Sequence, residues 1–224
     1  MIVTIKKTID YLFTYKLSLL LLTLVAQIVV PVFFENPHIS RLMQYITITM
    51  MIIVSILIFG RGKKKIFHYY LSFIVLVLLL HWLQYFFKGD MIFRVPRLII
   101  VGSLYVILFV NIVIKFSHGK DVDIDNIFGA IAGFVLLGMI STFVTILIDI
   151  YYPGSFSFHS ANPTFQEYMY FTFVTFTTLG YGDVSPVTVQ GEMHSIIVAL
   201  MGQLYLTVTI GLIIGRFLGS RNQE

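Results

Sequence analysis

The sequence predicts an all-α membrane protein with six transmembrane helices, and three observations support this fold class. Hydrophobic residues make up 58% of the 224 residues and charged residues only 12%, which is about half the charged share usual in soluble domains. Six apolar stretches are long enough to cross a bilayer, which takes about 20 helical residues. A further apolar segment is too short to span, which predicts a re-entrant helix followed by a loop.

The six stretches are expected to be helical because a helix satisfies its own backbone polar groups inside lipid. They cover residues 17–34, 42–60, 66–87, 95–116, 127–151 and 189–217. The shorter segment, residues 163–179, lies between the fifth and sixth spans. We divide the chain into a four-helix transmembrane domain at residues 1–120 and a second domain at residues 121–224.

The basic residues predict the orientation in the membrane. If six spans alternate, most Lys and Arg residues fall on one side, which the positive-inside rule assigns to the cytoplasm. These are Lys6, Lys7, Lys16, Arg61, Lys63, Lys64, Lys65, Lys115, Lys120, Arg216 and Arg221. The chain is expected in the plasma membrane. Both termini are then in the cytoplasm, and residues 152–187 are outside the cell. The net charge of +4 follows from this topology, so we expect no nucleic-acid partner.

Other chemistries find little support in the composition. The chain has no cysteine, which excludes disulfides, thiolate metal sites and cysteine nucleophiles. The spans carry no paired histidines at ligand spacing and no cluster of carboxylates, so we expect neither an enzyme nor a cofactor. In the acidic run Asp121, Asp123 and Asp125, the last residue is expected to cap the fifth helix. His68 and His81 lie near span ends and are interpreted as interfacial.

The loop Thr178–Gly182 has the composition of an ion pathway. Backbone carbonyls can replace the hydration shell of an ion when several strands line one narrow axis. Gly180 and Gly182 adopt positive-φ conformations at low cost, which lets successive carbonyls face the same way. Tyr181 can then point its ring into the surrounding packing, while Thr178 adds a hydroxyl at the inner mouth. One strand cannot surround an ion, so four copies of the chain are expected around one axis.

Residues 177–183, Thr-Thr-Leu-Gly-Tyr-Gly-Asp, resemble the signature of the potassium channel family. Residues 170–176, Tyr-Phe-Thr-Phe-Val-Thr-Phe, are similar to the aromatic pore helix of that family, and the capping box at Thr164–Glu167 predicts where this helix begins. Gly202 falls where prokaryotic relatives carry a hinge glycine. The similarity covers residues 125–217, whereas the first four spans resemble the six-helix, voltage-gated-like superfamily in number and order.

The resemblance implies a subunit of a tetrameric potassium channel that conducts K⁺ passively, with three identical subunits and the lipid bilayer as partners. It implies that K⁺ ions bind the backbone carbonyls of Thr178, Leu179, Gly180 and Tyr181, with Gly182 completing the selectivity filter. The residues expected to support the filter are Asp183, Tyr170, Phe171, Val174 and Thr177. Gly202 is expected to be a gating hinge, and no cytoplasmic ligand-binding domain is expected on this chain.

Two departures from the family pattern leave alternatives open. Leu179 stands where valine or isoleucine is more usual, and the usual tryptophans are missing around the filter, so a weakly selective cation channel is one alternative. Because no cytoplasmic ligand-binding domain is expected on this chain, a pore-forming subunit gated by a separate regulatory partner is another alternative. A potassium transporter fits less well, since its chain carries four filter-like loops and this one carries one.

Arg94 and Arg97 stand three residues apart at the outer start of the fourth span, which is the spacing of a voltage sensor. The series stops after these two, because residues 100, 103 and 106 are Ile, Ser and Val. We therefore interpret both arginines as anchors that snorkel to the outer interface and not as functional sensors. The expected voltage dependence is weak or absent.

Overall fold

The computed structural model describes residues 14–60, 64–87, 91–118 and 124–221. Seven α-helices lie in these ranges: α1 Lys16–Val29, α2 Pro37–Phe59, α3 Lys64–Phe86, α4 Met91–His118, α5 Ile124–Tyr151, α6 Phe165–Phe176 and α7 Val189–Arg221. A 3₁₀ turn, Val30–Phe33, extends α1. Within the described ranges no strand forms, and one isolated antiparallel β-bridge joins Phe156 to Pro186.

Six of these helices, all except α6, are long and apolar enough to cross a membrane when α1 is taken with its 3₁₀ turn. The predicted all-α fold with six spans is thereby confirmed. The largest shift of a predicted boundary is at α2, which begins at Pro37 instead of residue 42. The extra turn forms because Pro37 suits the first helical position and the Asn36 side chain accepts a hydrogen bond from the His38 amide at 2.9 Å.

The chain packs into two compact units, each with its own interior. The first comprises the described residues of the ranges 1–101 and 123–132, and the second comprises those of the ranges 102–122 and 133–224. Helices α4 and α5 contribute residues to both units. The predicted division of the chain at residue 120 stays a prediction.

The first unit is held together by one face of each of its helices. Leu17, Leu20 and Leu24 of α1 are almost completely buried, as are Ile48 and Met51 of α2. Spacings of three and four residues place these side chains on one face of their helix. Because lipid tails are as apolar as leucine, the stabilisation here comes from close packing and hydrogen bonds, with little contribution from the hydrophobic effect.

Asp125 corrects one prediction about a helix cap. It lies inside the first turn of α5, and its Oδ1 accepts hydrogen bonds from the backbone amides of Leu17 and Ser18, at 3.2 and 3.1 Å, and from Ser18 Oγ at 3.1 Å. The carboxylate therefore caps α1, where it meets unpaired amides and the positive end of the helix dipole. Asp121 and Asp123 lie outside the described residues.

The second unit places the short helix α6 against α5 and α7. Phe176 at the end of α6 packs on Phe134 of α5, with ring centroids 4.7 Å apart, and Phe134 also approaches Tyr205 of α7 at 6.0 Å. On α4, Tyr105 is fully buried and meets Phe143 of α5 edge to face at 5.2 Å. The contact between Phe134 and Phe176 holds the end of α6 against α5.

Candidate functional site: the loop after helix α6

Helix α6 begins with the predicted capping box. The Glu167 amide donates to Thr164 Oγ1 at 3.3 Å, and Glu167 Oε2 accepts from the Thr164 amide at 2.7 Å. Two amides at the helix start are satisfied in this way. The start of α6 is therefore encoded in four adjacent residues, as the sequence predicted.

The end of α6 attaches the loop to the helix through two predicted support residues. The Val174 carbonyl accepts hydrogen bonds from the amides of Leu179 and Gly180, at 3.0 and 3.2 Å. Thr177 caps the helix, and its Oγ1 donates to the Phe173 carbonyl at 2.7 Å. The first residues of the loop are thus bonded to the last turn of the helix, so any movement of α6 moves them as well.

The loop backbone alternates between right- and left-handed conformations. The φ angles of Thr178, Gly180 and Gly182 are 61°, 55° and 80°, whereas Leu179 and Tyr181 between them have negative φ. Among the described residues, Thr178 is the one non-glycine with positive φ. An L-residue pays about 1–2 kcal/mol for this conformation, and such strain is concentrated at functional sites.

From the sequence, Thr178 was predicted to contribute its hydroxyl, and the backbone strain at this residue was not predicted. Threonine is β-branched and rarely adopts positive φ, so its residue type carries no signal for such a conformation. The alternation at residues 178–182 is the geometry that lets consecutive carbonyls face one side of a strand. In the single chain the whole stretch is exposed, including the side chains of Leu179 and Tyr181.

Of the aromatic residues predicted to support the loop, Tyr170 reaches it directly. Its hydroxyl donates to Asp183 Oδ2 at 2.6 Å. This hydrogen bond raises the pKa of the Tyr170 hydroxyl and lowers the pKa of the Asp183 carboxyl below its ordinary value. Phe171 has a different position, because its ring is buried against Phe156 and Phe158 at centroid distances of 4.8 and 6.3 Å.

A segment before α6 also holds the loop, and sequence reasoning missed it. The Ser157 amide donates to the Ser185 carbonyl at 2.9 Å, and the Ser185 amide donates to Ser157 Oγ at 2.9 Å. The Val187 amide donates to the Ser155 carbonyl at 2.8 Å. Residues 155–158 read Ser-Phe-Ser-Phe, an alternation that could have indicated an extended, half-buried segment.

Tyr170→Phe is expected to lower the melting temperature of the purified protein modestly at pH 7. The effect is small because the hydrogen bond between Tyr170 and Asp183 is exposed to solvent, and exposed polar contacts contribute little to stability. The pKa of Asp183 is depressed in the folded protein, so the stabilisation is present above the ordinary carboxyl pKa of 3.8 and is lost as the pH falls through the depressed value. The difference in melting temperature between wild type and variant should therefore be larger at pH 7 than near pH 3, which lies below the ordinary carboxyl pKa of 3.8. Tyr152→Phe, at an exposed tyrosine, is the control. An equal difference at both pH values would contradict this account.

Gly202, the predicted hinge, lies where α7 touches the end of α6. A Cβ added to Gly202 would overlap the backbone carbonyl oxygen of Phe176, and it would lie 2.9 Å from the carbonyl carbon of the same residue. Helix α7 continues through Gly202 without interruption. The structure therefore gives Gly202 a close-packing contact, while its role as a hinge stays a prediction.

Arg97 is enclosed within the first unit and does not snorkel outward, which corrects the interpretation drawn from the sequence. It is 9% exposed. Its Nε donates to His81 Nδ1 at 3.3 Å, its Nη1 donates to Gln84 Oε1 at 2.9 Å, and its guanidinium lies 4.7 Å from the ring centroid of Tyr45. Arg94 is partly exposed. The sequence could not show this environment, because its members come from three different helices.

His81 is completely buried, so its predicted interfacial position is wrong. Its Nδ1 accepts from Arg97, which leaves Nε2 to donate to the Tyr45 carbonyl at 3.1 Å. This arrangement requires the neutral ring with its proton on Nε2. The imidazole therefore acts here as a link between a cation and a helix carbonyl.

Comparison with known proteins identifies the part of the chain that contains this site. Residues 135–218 match the family described as "Ion channel". A segment of 85 residues is 29% identical to the A-type voltage-gated potassium channel KCND3 of Rattus norvegicus, of Oryctolagus cuniculus and of Homo sapiens. It covers 38% of this chain and 13% of the length of each relative. No solved structure matches the chain significantly.

The family match includes α6, the loop after it and most of α7, which are the elements that build the site. The relatives named above are voltage-gated potassium channels. The chain is therefore a multi-pass membrane protein in which residues 135–218 match an ion channel family and 85 residues are similar to voltage-gated potassium channels.

Proposed function

We propose that this chain is one subunit of a potassium-selective channel that conducts K⁺ passively as a homotetramer. The observation that carries the proposal is the alternation of positive and negative φ along residues 178–182. This stretch directly follows α6, a helix that begins with a capping box and is too short to span the membrane. K⁺ is the transported ion, and its ligands would be the backbone carbonyls of Thr178, Leu179, Gly180 and Tyr181. Carbonyl oxygens replace the hydration shell of the ion in potassium channel filters.

The homotetramer is supported by what one subunit leaves uncovered. Helix α7 has the smallest buried share of the six candidate spans, and Met193, Ile197, Leu200 and Leu204 are exposed along it. A single filter strand cannot surround an ion, and contiguous apolar surface on this scale marks an interaction surface or a lipid contact. Three further copies of the chain would cover this surface and complete the ring of carbonyls.

The proposed orientation has both termini in the cytoplasm and the loop after α6 near the outer face of the plasma membrane. It rests on the asymmetric distribution of Lys and Arg between the two sides of the spans. Helix α6 then ends at Phe176 on the side of the central cavity, where the negative end of its dipole favours a cation.

Weak or absent voltage dependence is the second part of the proposal. Charge movement across the membrane contributes about 2.3 kcal/mol per elementary charge per 100 mV, so a steep response needs several mobile charges. The fourth span offers Arg94 and Arg97, and Arg97 is held by His81, Gln84 and the Tyr45 ring. An arginine held by three neighbours is poorly suited to move with the field.

Purified protein reconstituted in liposomes tests both parts of the proposal. Currents recorded under opposed K⁺ and Na⁺ gradients should reverse near the K⁺ equilibrium potential, should be blocked by barium and should change little with voltage. Comparable Na⁺ current would favour the weakly selective channel and would implicate Leu179. A steep conductance–voltage curve that Arg97→Gln abolishes would overturn the part concerning voltage.

A further inference from the structure

Three polar side chains, one each from α5, α6 and α7, meet inside the second unit. Thr145 Oγ1 of α5 lies 3.0 Å from Thr172 Oγ1 of α6 and 2.8 Å from His194 Nε2 of α7. Thr145 and Thr172 are completely buried, and His194 is almost so. Ionisable residues inside transmembrane helices are costly and usually have a function, yet the proposed filter chemistry makes no use of this histidine.

Counting hydrogen-bond donors assigns a role to the imidazole. Thr172 Oγ1 can donate to the Tyr168 carbonyl at 2.7 Å, and Thr145 Oγ1 can donate to the Ser141 carbonyl at 2.9 Å. Each hydroxyl has one proton, so the cluster has more close contacts than hydroxyl protons. A proton on His194 Nε2 supplies the additional donor. The ring then donates to Thr145, and more of the cluster is satisfied than with the other neutral tautomer.

The same cluster forms part of a ladder between α5 and α6. Tyr168 donates its hydroxyl proton to Asp149 Oδ2 at 2.5 Å, one helical turn from the contact between Thr145 and Thr172. Residues 145 and 149 of α5 thus face residues 172 and 168 of α6 in antiparallel order. Two rungs fix both the rotation of α6 and its position along α5, and His194 braces one of them from α7.

The position of α6 determines the position of the loop. Two residues beyond Thr172, the Val174 carbonyl accepts the amides of Leu179 and Gly180. A shift of α6 is therefore transmitted to the proposed filter through hydrogen bonds, without an intervening flexible segment. Ion selectivity depends on the arrangement of these carbonyls.

We propose that His194 is a positioning residue for ion selection: through Thr145 it holds α6 at Thr172 and thereby keeps residues 178–182 in the selective geometry. The inference rests on the proposed function and adds to it a residue outside the filter. His194 contacts neither the ion nor the filter, and it acts through α5 and α6.

Single-channel recordings of reconstituted protein test the proposal with two matched pairs of variants. Thr145→Val and His194→Leu each remove the hydrogen bond between residues 145 and 194. Thr145→Ser and His194→Gln each keep a polar group that can make this bond. Thr145→Val and His194→Leu should each lower the K⁺/Na⁺ permeability ratio by roughly tenfold or more, because a hydrogen bond worth a factor of about three is lost at four sites around one pore. In Thr145→Ser and His194→Gln the permeability ratio should stay within about twofold of wild type. The double variant Thr145→Val/His194→Leu should have a permeability ratio no lower than that of the more severe single variant, as for residues that share one interaction.

Thr49→Val is the control for the chemical change, because Thr49 Oγ1 donates to the carbonyl of Tyr45 on its own helix in the first unit. Unchanged permeability ratios in both Thr145→Val and His194→Leu would overturn the proposal, as would multiplicative effects in the double variant. If wild type is not K⁺-selective, the proposed function itself fails and this inference fails with it. A selective wild type with indifferent variants rejects this inference alone.

A second measurement covers variants that carry no current. The melting temperature of the detergent-solubilised protein, compared between K⁺ and Na⁺ solutions, reports how well the filter binds K⁺. If His194 positions the filter, the difference between the two salts shrinks in Thr145→Val and is restored in Thr145→Ser. If Thr145→Val lowered the melting temperature equally in K⁺ and Na⁺ solutions, the cluster would be a structural contact only, and the proposal would be overturned.

Discussion

Gly202→Ala is expected to lower strongly the K⁺/Na⁺ selectivity or the conductance of each open channel in reconstituted protein. The added methyl group would occupy the space of the Phe176 carbonyl oxygen and would lie 3.1 Å from Cδ2 of the Phe176 ring. The nearest atoms belong to the backbone, so α7 and the end of α6 must separate. Overpacking of this kind costs about 1–3 kcal/mol at each site, and the proposed tetramer contains four such sites.

The result separates the two roles considered for Gly202. A hinge variant should change the open probability and leave the conductance and K⁺/Na⁺ selectivity of each open channel intact. A variant that displaces the end of α6 should lower selectivity or conductance whenever the channel is open. Gly211→Ala is the control on the same helix, because a Cβ at Gly211 meets nothing within 4 Å in one subunit. Normal selectivity with altered opening in Gly202→Ala would support the hinge and contradict the packing account.

The spans and the start of α6 could be predicted because their signals are local. Long apolar stretches identify membrane helices by length and composition, and the capping box at Thr164–Glu167 needs only four consecutive residues. The resemblance to a known signature placed Tyr170 and Asp183 among the expected support residues of the loop. In each case the residues that determine the feature are close in sequence or belong to a known pattern.

The misses at Asp125 and Arg97 have a common physical cause, since each depends on partners distant in sequence. Asp125 lies in the first turn of α5 but caps α1, more than a hundred residues earlier. Arg97 has the spacing of a voltage sensor, but its environment comes from Tyr45, His81 and Gln84 on two other helices. No periodicity or local motif reports which side chains a helix will meet across a bundle, because tertiary packing decides it.

The positive φ of Thr178 was missed for a different reason. Residue type usually indicates left-handed backbone through glycine or asparagine, and threonine gives no such indication. The strain is tolerated because the surrounding contacts determine the conformation: the Thr178 amide donates to the Thr175 carbonyl at 3.0 Å, and Val174 accepts the next two amides. The unusual conformation is therefore a property of the whole loop and its helix.

Gly180→Ala is expected to remove K⁺ selectivity or to abolish the current altogether. Gly180 has φ 55°, a conformation that costs an alanine about 1–2 kcal/mol. Relief of that strain would rotate the neighbouring peptide and turn at least one carbonyl away from the axis. Because four strands share one pathway in the proposed tetramer, each ion would meet four disturbed sites at the same level. Permeability ratios from reversal potentials in liposomes would measure the change.

Gly154→Ala provides a matched control for backbone strain alone. Gly154 has φ 78°, and a Cβ added at Gly154 or at Gly180 would meet nothing within 4 Å in one subunit. Gly154 lies in the turn after α5, outside the proposed filter, so its variant should bear a similar local cost and keep its selectivity. If both variants lost selectivity equally, general destabilisation would explain the result. If Gly180→Ala remained selective, residues 178–182 could not be the filter, since a selective strand of carbonyls cannot ignore the conformation of its central residue.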